Sequence, residues 1–125
     1  MVKRRAHAMR WLKRPQEHDY PAAASYLSLL YPTKVVARHV KRLKSADKVE
    51  FKSKDIFRAS GLPLLDGSDS HVAEDQKTIK SGEALSPILL VRDPDLGRVV
   101  IADGYHRLCA VYSFDEDAAI PCRIV

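Results

Sequence analysis

Apolar and polar positions alternate along this chain in two different rhythms. Val49-Glu50-Phe51-Lys52 has a period of two and predicts a strand. Pro87-Ile88-Leu89-Leu90-Val91 is continuously apolar and reads as a core strand. Asp93-Pro94-Asp95-Leu96-Gly97 supplies a hairpin loop, and Arg98 to Ile101 returns as the partner strand through the β-branched run Val99-Val100-Ile101. Helical spacing governs the rest. Pro21 suits a first helical turn, Ala22-Ala23-Ala24 favours helix, and Tyr26, Leu29 and Leu30 supply its apolar stripe, with Tyr31-Pro32 as the stop. Thr33 is the expected N-cap of a second helix running to about Ala46, with Val36, Val40 and Leu43 inward. Ser53 or Lys54 opens a short helix that carries Ile56 and Phe57. Leu62 to Leu65 forms an apolar loop closed by Asp66-Gly67. Asp69 or Ser70 caps a helix from His71 to Lys80 that ends at Gly82. Leu108, Val111 and Tyr112 place a last helix from Tyr105 to Phe114. Val100, Leu108, Val111, Ile88, Leu90 and Ile124 are the expected core around it.

These elements predict an α+β fold: a small mixed sheet with flanking helices, preceded by a helical hairpin. The expected organisation is a basic arm over 1–20, the hairpin over 21–48 and the sheet domain over 49–125, with 21–125 as one globular unit. A length of 125 residues suits one modest core. No apolar run approaches the roughly 20 residues needed to span a bilayer, and the basic N-terminus lacks an apolar signal core. The expectation is a cytoplasmic protein with no membrane partner. Cys109 and Cys122 are expected as buried free thiols, and their spacing makes no zinc signature. No metal site is predicted, and the sequence carries no sign of oligomeric state.

Charge divides the chain. Residues 1–58 carry 15 basic and 5 acidic side chains, a net of +10, whereas residues 59–125 carry 6 and 11, a net of −5. A basic front on an acidic body suggests either an anionic partner such as DNA or contact between the halves. Met1 to Arg14, with six cations around Trp11 and Leu12, is open to three readings: a mobile arm, an amphipathic turn on a phosphate backbone or a surface helix. Arg38, Lys41, Arg42 and Lys44 on the second hairpin helix are the remaining nucleic-acid candidates. The Tyr-Pro-Thr turn has no glycine, and the second helix offers few side chains suited to base edges, so a plain helical hairpin is favoured over a helix-turn-helix.

The richest stretch for chemistry is Ile101-Ala102-Asp103-Gly104-Tyr105-His106-Arg107-Leu108. A strand that feeds a helix through glycine leaves backbone N–H groups open at the helix N-terminus. Those groups and the helix dipole attract an anion. His106 and Arg107 in the first turn can add donors. Asp103 is read as a cap or as one ligand of a phosphate-bridging metal ion. His71 and Glu74 share a face of the preceding helix, where they form either an acid–base pair or a solvated pair. His7, His18 and Asp19 lie in irregular sequence without ligand spacing.

Asp103-Gly104-Tyr105-His106-Arg107, the helix after it and the strand Ile120-Pro121-Cys122-Arg123-Ile124-Val125 resemble the signature of the ParB/sulfiredoxin-like superfamily. Upstream, Thr78-Ile79-Lys80-Ser81-Gly82 and Pro87 to Val91 resemble the helix, glycine and Pro-Ile strand that precede that signature. The resemblance covers about Val49 to Val125. It implies phosphate binding, of ATP in sulfiredoxins and of CTP in partition proteins, with Mg²⁺. By position, Gly104, Tyr105, His106, Arg107 and Thr78 would hold phosphate. Asp103, Glu74 and His71 would be the acid–base or catalytic candidates if phosphoryl transfer or hydrolysis occurs. Tyr105 stands where a sulfiredoxin has its catalytic cysteine, and a phenol cannot replace a thiolate, so the resemblance does not extend to sulfinic-acid reduction. The sulfiredoxin lysine and serine near the nucleotide are His71 and Glu74 here. The alternative expectation is a non-enzymatic DNA-binding or adaptor module that uses the basic front.

Overall fold

The computed structural model describes residues 9–125. The elements run β1 (Arg10–Trp11), α1 (Asp19–Leu27), α2 (Thr33–Ser45), β2 (Val49–Lys52), α3 (Ser53–Ser60), α4 (Ser70–Ser81), β3 (Ala84–Leu85), β4 (Ile88–Asp93), β5 (Arg98–Asp103), α5 (Tyr105–Phe114) and β6 (Ala119–Ile124). The class is α+β. A four-stranded sheet has the order β2-β6-β4-β5 and is mixed: β4 pairs parallel with β6, while β2/β6 and β4/β5 are antiparallel. β1 and β3 pair in parallel as a separate two-stranded ribbon.

Strand alternation builds a core on each face of this sheet. Ile88 and Leu90 point to one side, where they meet Ile56 of α3, Val72 and Ile79 of α4 and Leu108 and Val111 of α5. Leu89 and Val91 point to the other side, where Tyr20, Ala23, Leu27, Val36 and Leu43 of the two N-terminal helices cover them together with Val100 and Ala102. The continuous apolar run in β4 therefore reflects burial on both faces. The helical hairpin is a full layer of the fold. Of the core expected around α5, Ile88, Leu90, Leu108 and Val111 are buried there and Ile124 is partly exposed at the end of β6, whereas Val100 is buried on the opposite face, against the hairpin helices, because alternation along β5 turns it away from α5.

Three expectations about the N-terminal third change. Helix α1 starts at Asp19, and its inner positions are Tyr20, Ala23 and Leu27. The helix ends at Leu27, so Leu29 falls in the turn and is 81% exposed, while Tyr26 and Leu30 are also exposed. Thr33 is the first residue of α2, and the cap position is Pro32, which is extended and gives no side-chain bond. The basic arm is not separate from the fold beyond residue 8. Arg10 and Trp11 pair with Ala84 and Leu85, Trp11 packs against the core, and Asp19 and Tyr20 are buried. His7 and the first cations of that arm, Lys3, Arg4 and Arg5, lie outside the described residues.

Both ends of α4 follow the sequence. Asp69 accepts from the backbone N–H groups of His71 and Val72 at 2.9 and 3.1 Å, a side-chain N-cap for α4. Gly82 closes α4 in the left-handed conformation, and Glu83 N–H reaches back to the Thr78 carbonyl. Both cysteines are free and buried. Burial raises both thiols, Cys122 to about 12, which keeps them protonated and unreactive. Among the described residues, no helix is long and apolar enough to cross a membrane.

Candidate functional site

Gly104 is the hinge on which the site depends. It joins the end of β5 to the start of α5 with φ at +112°, in the region that L side chains rarely adopt. A Cβ there would also lie 2.8 Å from Ile88 Cγ1 and 3.0 Å from Arg107 Nη2. Dihedral and space each demand glycine. The turn brings the N-terminus of α5 against α4. Between them lies a cavity of about 230 Å³ lined by His71, Glu74, Asp75, Asp103, Gly104, Tyr105, His106 and Arg107.

Seven of those eight residues are sequence candidates, and they come from two separate stretches of chain. The His71 and His106 rings meet at a tilt of 48°, with centroids 4.9 Å apart. His106 Nε2 lies 3.9 Å from Asp69 Oδ1, the carboxylate that caps α4. Tyr105 turns away. Its hydroxyl donates to the Pro63 carbonyl and its ring packs on the core, so only its backbone can serve a ligand at this turn. Thr78 stands apart from the cavity, one helical turn beyond Glu74, and its hydroxyl donates to the Glu74 carbonyl at 3.2 Å.

Arg107 is bound into the fold. Its Nη2 donates to Asp103 Oδ2 at 2.9 Å and to the Pro87 carbonyl at 3.3 Å, and it lies 3.8 Å from Asp19 Oδ2. The side chain is only 16% exposed. Asp103 therefore serves as the partner of Arg107, and α5 has no side-chain cap. Burial pushes the Asp103 carboxyl above the ordinary range, and Arg107 opposes that shift. Burial raises Asp75 as well, against the nearby charges of Arg107, His106 and His71.

Asp19 and Asp75 escape the sequence reading. Asp19 is 3% exposed and takes a hydrogen bond from the Ser86 hydroxyl, whose oxygen in turn accepts from Gln16 N–H at 3.1 Å. It joins the site only through tertiary packing, and no local pattern marks it. Asp75 could have been found from its position four residues after His71 on the same helix, one turn along the same face.

The carboxylates do not form a metal cage: among the described residues, no three His, Cys, Asp or Glu side chains converge to hold an ion. Mg²⁺ usually takes one or two carboxylates plus ligand phosphates. With Asp103 committed to Arg107, Glu74 and Asp75 are the residues at this cavity suited to that role.

The four basic candidates of α2 are all exposed. Lys41 and Lys44 border an apolar groove between α1 and α2, and Lys44 Nζ also sits 5.5 Å from the Tyr20 ring centroid. Burial lowers the pKa of the His39 imidazole, and the charges of Arg38 and Arg42 lower it further.

No protein-family model matches this chain, and neither does any curated protein or solved structure.

Proposed function

We propose that this chain is a phosphate-recognising domain of ParB/sulfiredoxin-like type, with a nucleoside triphosphate such as ATP or CTP held between α4 and α5. The observation that carries the reading is the convergence of residues 71–75 and 103–107 on one cavity at the start of a helix. The first N–H groups of α5 have no intrahelical acceptor, and they carry the positive end of its dipole. His71 and His106 add side-chain donors from both walls.

The division of labour differs from a simple arginine clamp. Asp103 offsets the charge of Arg107, so the pair fixes the turn, and the backbone and imidazoles supply the attraction. The phosphates would bring Mg²⁺ with them, with Glu74 and Asp75 completing its shell. Mg²⁺ would neutralise phosphate charge there. If the bound nucleotide reacts, His71 and Glu74 are the groups left for proton transfer, since Asp103 is engaged.

The test is a thermal-shift screen of the purified chain against ATP, CTP and other nucleotides, with and without Mg²⁺. A ligand at a hundredfold excess over its Kd adds about 2.7 kcal/mol to the folded state. For a chain of this size that is a rise of roughly 10 °C in Tm. No shift with any nucleotide contradicts the reading.

A further inference from the structure

A second cavity, of about 600 Å³, shares no residue with the first. It lies between the segment leading into α1, the end of α2 with its loop to β2, and β6. Its walls carry five cations, Lys13, Arg14, Lys44, Lys48 and Arg123, against two carboxylates, Glu17 and Asp47. The cations come from separate parts of the chain, so the fold gathers them and no single basic run explains the cluster.

Arg123 is the unusual member. It is 8% exposed, on a strand otherwise devoted to the core. Its Nη2 donates to the Lys13 carbonyl at 3.1 Å, while Nη1 has no hydrogen-bond partner among the described residues. A buried cationic donor without an acceptor is costly. Two features oppose an anion here: the carboxylates of Glu17 and Asp47, and the carbonyl end of α2. Lys44 is also partly occupied over Tyr20. The formal balance of the side chains still leaves three positive charges around an open cleft.

We propose that this cleft is a second anion site, which takes a phosphate group through Arg123, Lys13, Arg14 and Lys48. Guanidinium and ammonium groups make charge-assisted bonds to phosphate oxygens. The same chemistry is offered by a small phosphate anion and by the phosphodiester backbone of a nucleic acid. The proposal is independent of the nucleotide reading.

The experiment uses the full chain and two probes: pyrophosphate by calorimetry, and a short single-stranded oligonucleotide by fluorescence anisotropy at two salt concentrations. Arg14→Gln with Lys48→Gln removes two exposed cations of the cleft. Lys77→Gln with Lys80→Gln removes two exposed cations from α4 as a matched control. The cleft variant should weaken binding by at least about tenfold, and the control should not. If the oligonucleotide is the ligand that responds, the slope of log affinity on log salt should also become shallower by about 1.4. A response with pyrophosphate alone assigns the site to small phosphates, and a response with the oligonucleotide alone assigns it to a nucleic-acid backbone. Binding of neither probe, or equal binding by the cleft variant and the parent chain, overturns the proposal.

Discussion

Gly104→Ala is the sharpest perturbation of the turn that organises the first site. Two costs are separable. A side chain at φ +112° pays a left-handed backbone penalty, about 1–2 kcal/mol. The new Cβ would also lie 2.8 Å from Ile88 Cγ1 and 3.2 Å from Ile88 Cγ2. Ile88, the first residue of β4, is fully buried in the core under α5 and cannot withdraw cheaply, so overpacking adds about 1–3 kcal/mol. The contact with Arg107 Nη2, at 3.0 Å, involves the far end of a flexible side chain and adds less, although moving it disturbs the pair with Asp103. The expected loss is about 2–5 kcal/mol, or roughly 8–20 °C in Tm. Urea denaturation followed by circular dichroism measures it. In an Ile88→Ala background both close carbons are gone, so the same glycine change should cost the dihedral part, about 1–2 kcal/mol, plus the smaller Arg107 contact. A loss under about 1 kcal/mol in the parent chain, or the same loss in both backgrounds, refutes the reasoning.

Two further outcomes follow from the charges of the site. Arg107→Met leaves Asp103 and Asp19 buried without their cation and should cost about 3–5 kcal/mol, whereas combining it with Asp103→Asn should recover part of the loss. Strict additivity in that denaturation cycle would show that the pair is not coupled. Asp75 has its carboxyl raised by burial, so its charged form is disfavoured in the folded state. That penalty is complete at pH values above the raised folded pKa and vanishes as pH falls below the ordinary carboxylate range near 4. Asp75→Asn should therefore raise Tm at neutral pH, with the gain fading on acidification. A gain that grows toward low pH would have the wrong sign.

Local signals carried most of the fold. The cap at Asp69, the stop at Gly82, the hairpin loop after Asp93 and the strand–glycine–helix joint at Gly104 all depend on neighbours within a few residues. They were legible for that reason. The same holds for His71 and Glu74, which face the cavity because helical spacing puts them on one side. The failures were tertiary. A stripe through Tyr26, Leu29 and Leu30 fails because α1 ends at Leu27, and Trp11, which sits among cations in the sequence, is seated on the core by its pairing with β3. Arg107 illustrates the limit best. Its position in the first turn of α5 was readable, but its partner Asp19 comes from the other end of the chain and has no pattern of its own. Arg123 likewise reads as part of an ordinary strand until the fold sets it beside Lys13.

Calorimetric titration of ATP and CTP with Mg²⁺ into the parent chain and into a His71→Ala, His106→Ala variant tests the central claim most directly. Both imidazoles border the cavity at the surface, so the variant should keep its fold, which circular dichroism checks. The account predicts saturable binding of at least one triphosphate by the parent chain, weakened by at least about tenfold in the variant through loss of two donors. Absence of nucleotide binding by the parent chain, or undiminished affinity in the folded variant, would contradict a phosphate site between α4 and α5.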